Sequence, residues 1–293
     1  MPQAHTHKTD SAEVLLTDWQ RTGPSDFTVH ANWPGAHPFY EVRHGLHDPL
    51  RLSETVRQTF PLLSHSAFHV PFGHHLLWQT YDWNLLPALL RFDGDAADLE
   101  LRIGCDRVKY RKGRASALSL SMEVYRNGVQ LADARTDFTV QDPEVYARLR
   151  GGYADVAHVR TIALPAGPPV PADQVGRGRA DDVVLSPTSG AGWQLRVDTS
   201  HRFLFDHPVD HTPGMLLLEA ARQAAYATVR SVADAAVVIG METRFRRYAE
   251  LDTPCWITAH PYSDDDVGVR RVLVTARQSD QEIFTALVTL TGA

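Results

Sequence analysis

Residues 206–225, DHPVDHTPGMLLLEAARQAA, contain the pattern that decides the fold. Two prolines interrupt the polar first part. The second part is mostly leucine and alanine, contains no proline, and carries the polar residues Glu219, Arg222 and Gln223. A Thr-Pro pair followed by glycine stands before this second part and is typical of a helix start. The stretch therefore predicts one long helix with an apolar surface, on which a few polar side chains share a face.

A second copy of this pattern lies earlier in the chain. DPLRLSETVRQTF at 48–60 aligns with TPGMLLLEAARQAAY at 212–226. Amphipathic helices align with one another easily, but three polar residues in register do not. The matched residues are Glu54, Arg57 and Gln58 in the first copy and Glu219, Arg222 and Gln223 in the second. This internal repeat predicts two copies of one structural unit.

The segments around the two helices repeat in the same order. VLLTDWQRTGPSDFTVHA at 14–31 parallels VLSPTSGAGWQLRVDT at 184–199, and HPFY at 37 parallels HPVD at 207. HHLLWQTYDWNLL and AVVIGMETRFRRY predict the next strand in each copy. Alternating hairpins at 118–140 and 271–291 follow, the first with an Asn-Gly turn. Each copy is therefore expected to be an α+β arrangement of one helix against antiparallel strands.

The boundaries of the copies follow from local composition. Asp48 and Thr212 each stand before a proline and are expected to cap their helices, while Pro61 is expected to end or kink the first helix. Residues 12–149 form the first repeat and residues 183–293 the second. Between them, 150–182 is rich in proline and glycine, which predicts a linker with little regular structure.

Composition restricts the class of protein. The chain has 293 residues and a net charge of −6, which argues against a general nucleic-acid-binding surface. No apolar run approaches the ~20 residues that a membrane-spanning helix needs, and the N-terminus lacks the apolar core of a signal peptide. Cys105 and Cys255 form neither a disulfide framework nor a metal clip. We expect a cytoplasmic protein that binds neither nucleic acid nor a membrane.

The histidines at 207 and 211 raise the question of a metal site. Two histidines four residues apart can share one face of a helix, but Pro208 and Pro213 make a helix through them improbable, and no third ligand stands at a recognisable spacing. We therefore expect no metal and no cofactor.

The helix motif resembles that of the hotdog-fold hydroxyacyl-thioester dehydratases, which carry H-x-P, then PG, an apolar run and EA-x-x-Q. The doubled form, with ETVRQ and EAARQ, resembles the AfsA family of A-factor synthases over residues 12–145 and 183–292. This resemblance implies a tandem (double) hotdog fold, each half a long helix packed on an antiparallel sheet. The protein would then be a monomer with pseudo-dimeric halves or a homodimer.

The resemblance also implies an acyltransferase. Such enzymes join a β-ketoacyl group, carried as a thioester on acyl carrier protein or coenzyme A, to dihydroxyacetone phosphate. The ester condenses to a phosphorylated butenolide, a precursor of butyrolactone, butenolide or furan signalling molecules that control antibiotic production. Two alternatives stay open at this point, a thioester dehydratase or hydrolase on the same fold and a non-catalytic hotdog protein that binds acyl chains or a protein partner.

Glu219 is the first candidate for the chemistry of acyl transfer. A carboxylate among leucines and alanines is expected to have a raised pKa, which would suit a general base that deprotonates the attacking alcohol. The alternative is a simple ion pair with Arg222, one helical turn away. Glu54 is the corresponding candidate in the first copy, where the same two interpretations apply.

Substrate binding is expected around these glutamates. Arg222 suits a phosphate-bearing substrate, because a guanidinium binds phosphate in a bidentate fashion. The backbone amides of Gly214 and Met215 at the helix start suit an oxyanion or phosphate. His207 matches the dehydratase histidine only approximately, because its spacing to the glutamate is two residues shorter, so it is expected to orient substrate or to stabilise a turn. Further candidates for substrate binding are Arg57, Gln223 and Arg244, the last also explicable as a solvated side chain.

Overall fold

The computed structural model describes residues 1–230, 235–262 and 268–292. The chain forms two compact units, Met1–Leu149 and Arg150–Ala293. In its described part, each unit consists of an antiparallel sheet and one long helix whose residues are mostly buried. This is the architecture that the sequence repeat predicts.

The sheet of the first unit has the strand order β1-β2-β4-β5-β6-β3. Its strands are β1 (Leu16–Arg21), β2 (Asp26–Trp33), β3 (His75–Leu85), β4 (Ala97–Arg111), β5 (Arg114–Arg126) and β6 (Val129–Gln141). Asn127 and Gly128 both have positive φ, as a two-residue hairpin turn requires, which confirms the turn predicted between β5 and β6. The helices are α1 (Leu50–Ser66) and α2 (Pro143–Arg150).

Helix α1 is the core of the first unit. Of its residues, all except Arg57 and Ser66 are buried. Along β2, every second residue faces inward. These residues include Phe27, Val29 and Trp33, each at most 1% exposed. Burial of one large apolar side chain contributes about 1.5–3 kcal/mol, so this helix is stabilised by packing rather than by intrinsic propensity.

The two helix starts differ from each other. The Leu50 amide donates to Asp48 Oδ1 at 2.8 Å, so Asp48 caps α1 as expected. Thr212 does not cap the second helix, because its buried Oγ1 has no partner among the described residues and the position before the helix is taken by Pro213. Pro61 does not end α1, which continues to Ser66, although the proline has no N–H to donate to the carbonyl of Arg57.

The sheet of the second unit has the strand order β9-β12-β11-β10-β8-β7. Its strands are β7 (Leu185–Pro187), β8 (Trp193–Leu195), β9 (Ala236–Phe245), β10 (Cys255–Pro261), β11 (Val269–Gln278) and β12 (Gln281–Gly292). The helices are α3 (Val156–Ile162) and α4 (Gly214–Val229). Helix α4 packs on β9, β10, β11 and β12, as the second repeat predicts.

The segment 150–182 differs from the linker that its composition predicts. It contains helix α3 and short 3₁₀ turns, and it buries Val159, Val175, Arg177 and Asp182. This corrects the expectation of a segment with little regular structure. The prolines and glycines prevent long helices, but apolar side chains between them still pack within the second unit.

Candidate functional site

Glu219 lies at the centre of the candidate site in the second unit and is fully buried. Arg177 donates from Nε to Glu219 Oε1 at 2.8 Å, and its Nη2 lies 2.7 Å from Oε2. Arg222, one turn further along α4, donates from Nε to Oε2 at 3.0 Å and from Nη2 to Oε1 at 2.5 Å. Two guanidinium groups therefore hold one carboxylate, each through two nitrogen atoms.

Gln223 connects this cluster to the backbone before β7. Its Nε2 donates to Glu219 Oε1 and, at 2.8 Å, to the carbonyl of Asp182. Its Oε1 accepts from the amide of Val184 at 3.0 Å. A buried amide with both ends satisfied fixes the rotamer of Gln223 and the position of the carboxylate beside it.

The electrostatics of Glu219 correct the expectation of a raised pKa. Burial alone would raise the pKa, but the charges of Arg177 and Arg222 and their hydrogen bonds outweigh it and lower the pKa of Glu219 to about 2. Both arginines contact the carboxylate directly, so the apolar residues beside Glu219 in the sequence do not decide its pKa. Glu219 is therefore ionised near neutral pH.

The first unit builds the same cluster around Glu54. Arg57 donates from Nε and Nη2 to Glu54 at 3.0 and 2.8 Å, and Lys8 Nζ lies 3.6 Å from Oε1. Gln58 donates to Glu54 at 2.9 Å and to the Glu13 carbonyl at 2.8 Å. Burial would raise the pKa of Glu54, but the charges of Arg57 and Lys8, with the hydrogen bonds of Arg57 and Gln58, lower it to about 2.

The two clusters correspond residue by residue. Lys8 and Arg177 each supply the second cation. Gln58 accepts from the amide of Leu15, as Gln223 accepts from that of Val184. Lys8, Glu13 and Leu15 are separated from Arg177, Asp182 and Val184 by one constant number of residues. The repeat thus extends to residues before each first strand, which the sequence comparison left out.

In each copy, a histidine in contact with the acidic residue completes the correspondence. His37 Nε2 lies 3.1 Å from Glu13, and His201 Nε2 lies 3.3 Å from Asp182. In each case the ring Nδ1 accepts from the amides two and three residues further on. The structural counterpart of His37 is therefore His201, which corrects the pairing of HPFY with HPVD at His207. Both ring nitrogens are engaged, so each histidine holds its loop in place.

The remaining predicted residues lie outside the hydrogen bonds around Glu219. The His207 side chain is 43% exposed, with Nδ1 3.4 Å from Asp206. Arg244 is half-buried on β9 and donates to the carbonyl of Thr243 at 2.7 Å. Gly214 and Met215 are the first two residues of α4, as the sequence predicts, so their amides have no acceptor within the helix.

Within the described ranges, no group of three or more His, Cys, Asp and Glu side chains is placed to hold a metal ion. Nor does this part of the chain contain a helix that is long and apolar enough to cross a membrane.

Sequence reasoning identified Glu219, Arg222 and Gln223 but missed Arg177 and Lys8. Both lie in segments assigned to a linker or left outside the first repeat. A usable signal existed, because each cation stands five residues before an acidic residue and seven before an apolar residue, Leu15 or Val184, near the start of its copy. Composition obscured this signal by making the region resemble a spacer.

The family model described as the A-factor biosynthesis hotdog domain matches residues 1–142 and again residues 162–292. The chain belongs to the AfsA family. The second match begins within the segment 150–182, consistent with the contribution of Arg177 to the cluster on α4. The AfsA match and the architecture of the two units establish the fold as a tandem hotdog.

Relatives named as synthases are similar over all or nearly all of the chain. A 2-oxo-3-(phosphooxy)propyl 3-oxoalkanoate synthase from Streptomyces virginiae is 41% identical, covering 100% of this chain and 98% of the relative. The synthases of the same name from Streptomyces coelicolor and Streptomyces griseus are 41% and 39% identical, covering 100% and 96% of this chain and 91% and 92% of the relatives.

Solved structures with the same fold are more distant in sequence. An acyl-ACP thioesterase from Bacteroides thetaiotaomicron has a TM-score of 0.53 at 11% identity, covering 90% of this chain and 97% of its own. The 12:0-ACP thioesterase from Umbellularia californica has a TM-score of 0.51 at 8% identity, covering 91% and 94%. At this level of identity the similarity concerns the fold alone.

Proposed function

We propose that this AfsA-family chain transfers a β-ketoacyl group from a thioester to a hydroxyl of dihydroxyacetone phosphate. The product would be a 2-oxo-3-(phosphooxy)propyl 3-oxoalkanoate, the ester that the relatives are named for making. Intramolecular condensation of this ester would give a phosphorylated butenolide. The acyl donor would be acyl carrier protein or coenzyme A.

One observation carries the proposal: the guanidinium of Arg222 has a free side. Its Nε and Nη2 are bonded to Glu219, whereas its Nη1 has no partner among the residues that the structure describes, and the side chain is 10% exposed. A phosphate oxygen could therefore approach Arg222 without disturbing the bond to the carboxylate. Dehydration or hydrolysis of an acyl group does not itself require a phosphate-bearing second substrate.

The charge balance of the cluster supports an anionic substrate. Arg177 and Arg222 contribute two positive charges against the single negative charge of Glu219, and the neighbouring Asp182 lies 3.3 Å from His201. Both guanidinium groups are buried, and in a buried environment the electrostatic attraction of a guanidinium to a phosphate is stronger than in water.

In this proposal Glu219 orients Arg222 rather than taking a proton. A carboxylate with a pKa near 2 is a weak base, because proton transfer is most effective when the pKa of the base lies near the working pH. Glu54 would act on Arg57 in the same way. We assign the phosphate to Arg222 rather than Arg57, because Arg57 also donates to the carbonyl of Thr6.

The test is a reaction with a 3-oxoalkanoyl thioester of coenzyme A or acyl carrier protein, with and without dihydroxyacetone phosphate. Thiol release and product mass would be followed together. We expect thiol release that depends on dihydroxyacetone phosphate and a product mass equal to the ester or its condensed form. Thiol release at the same rate without the phosphate compound would identify a hydrolase and contradict the proposal.

Arg222→Ala tests the phosphate subsite. Loss of a charge-assisted hydrogen bond costs about 1.5–3 kcal/mol, so the KM for dihydroxyacetone phosphate should rise about 10- to 100-fold. Arg57→Ala is the matched variant in the first copy and should raise that KM less. The opposite ranking would place the phosphate subsite on α1.

A further inference from the structure

Acyl transfer to an alcohol needs a group that removes the hydroxyl proton, and the two buried glutamates are poorly suited to this step. We propose that His211 is the general base, oriented by Asp210. This inference rests on the proposed function, because it concerns the same acyl transfer. His211 stands three residues before the first residue of α4, and no metal role is involved.

The geometry of His211 is that of an oriented imidazole. Its Nδ1 lies 2.7 Å from Asp210 Oδ1. A carboxylate only accepts hydrogen bonds, so Nδ1 carries the proton and donates it to Asp210, and Nε2 of the neutral ring keeps its lone pair. Nε2 has no partner in the described part of the chain, and the side chain is 22% exposed. In the proposed step, this lone pair accepts the proton of the substrate hydroxyl.

The carboxylate of Asp210 is itself fixed. Arg150 donates from Nε to Asp210 Oδ2 at 2.8 Å, and both side chains are buried. Arg150 also donates to Glu250, from Nη1 to Oε1 at 2.5 Å and from Nη2 to Oε2 at 2.7 Å. In the described part of the chain, hydrogen bonds thus connect His211 to Asp210, Asp210 to Arg150 and Arg150 to Glu250.

An aromatic side chain fixes the plane of the imidazole. The ring of Tyr248 meets that of His211 edge to face, with the centroids 4.8 Å apart. The guanidinium of Arg150 lies over the ring of the same tyrosine, with its Cζ 4.1 Å from the ring centroid. An imidazole held by both a carboxylate and an aromatic ring loses little further freedom when it takes up a proton. His207, by comparison, lies 3.4 Å from Asp206 and is 43% exposed.

The proposed step balances without any further reactant. The hydroxyl of dihydroxyacetone phosphate gives its proton to His211 Nε2 while its oxygen attacks the thioester carbonyl carbon. The C–O bond forms, the C–S bond breaks, and the leaving thiolate takes the proton back from the imidazolium. The products are the ester, the free thiol and a neutral histidine ready for the next cycle.

His211→Asn is the main test, because asparagine can still donate to Asp210 but cannot take up a proton. General-base catalysis contributes about 10²–10⁴-fold, so kcat should fall by about that factor while the KM for dihydroxyacetone phosphate stays close to that of the wild type. His211→Ala should regain part of its activity when imidazole is added. His158→Ala, an exposed histidine on α3, is the control and should keep wild-type kcat.

The outcomes separate this proposal from the proposed function. A His211→Asn variant with nearly wild-type kcat would overturn the role of His211 alone. A His211→Ala variant that loses activity together with unfolding temperature, and that imidazole does not restore, would show a structural role and also overturn it. Thiol release by the wild type without dihydroxyacetone phosphate would instead overturn the proposed function.

Discussion

Arg177 engages both carboxylate oxygens of Glu219, at 2.8 and 2.7 Å, from a segment 42 residues earlier in the chain. This contact joins helix α4 to the segment before β7. It also lowers the pKa of Glu219, because the charge of Arg177 adds to that of Arg222 and favours the ionised carboxylate. The motif on the helix alone does not reveal either property.

Glu219→Gln should destabilise the protein as well as inactivate it. The neutral amide would leave two buried guanidinium groups without a counter-charge, which costs about 3–5 kcal/mol when one partner of a buried pair is removed. Denaturant unfolding of the variant and the wild type measures this loss. Glu242→Gln, an exposed change on β9, is the control. An unchanged free energy of unfolding would contradict the buried cluster.

Gln223→Leu should weaken the connection between α4 and the backbone before β7. Leucine has a similar volume but leaves the amide of Val184 and the carbonyl of Asp182 without their side-chain partner, at a cost of about 1–3 kcal/mol for each buried group. Gln58→Leu makes the same change in the first copy, so the two free energies of unfolding should fall by similar amounts. A fall in only one would show that the copies are not equivalent.

Gly176→Ala should disturb Arg177 through the backbone. Gly176 has φ +68°, and a Cβ there would lie 3.1 Å from Cγ of the Tyr226 ring. The left-handed conformation costs about 1–2 kcal/mol for a residue with a side chain, and the tyrosine would also have to move. We expect a lower unfolding temperature and weaker turnover. Gly152→Ala, where nothing lies within 4 Å, is the glycine control. Wild-type behaviour of Gly176→Ala would contradict this placement.

His47 should make stability depend on pH. Burial, followed by the charges of Arg51 and Arg126, lowers the pKa of His47 from 6.5 to about 4. The unfolded chain therefore binds more protons than the folded one between these values, so the free energy of unfolding is greatest above pH 6.5 and falls as the pH drops to about 4.

His47→Phe tests this dependence. Phenylalanine keeps an aromatic ring against Trp33 and Phe92, and it removes a buried Nε2 that has no partner among the described residues. Free energies of unfolding measured from pH 7 to pH 4 should fall less steeply in the variant. The difference in slope should correspond to at most one proton fewer taken up on unfolding. If the free energy of unfolding depends on pH equally in both proteins, His47 is not the source of that dependence.

Much of the fold follows from the sequence because its signals are local. Alternating residues predict the hairpins, and Asn127 with Gly128 takes the turn that its residue types favour. Helix α1 begins at Leu50, two residues after its capping Asp48. Of the two expectations for Pro61, an end of the helix is wrong, because the packing of α1 outweighs the loss of one helical hydrogen bond and the helix continues through the proline.

The candidate site follows from the sequence only in part, because its electrostatics depend on distant segments. Glu219, Arg222 and Gln223 share one helix face, so periodicity places them together. The pKa of Glu219 is set by Arg177 as much as by its own helix, and no helix pattern contains that residue. His201 was missed for a related reason. Its correspondence to His37 rests on the hydrogen bonds that the two rings make, whereas the residues next to them in the sequence differ.

The complete set of Glu, Arg, Gln and second cation on each copy has a genetic consequence. In an assembly of identical chains, every substitution appears in all subunits at once. Here one codon change alters Lys8 or Arg177 alone, and Glu54 or Glu219 alone. Selection can therefore tune one copy for substrate while the other preserves stability, and an engineer can do the same.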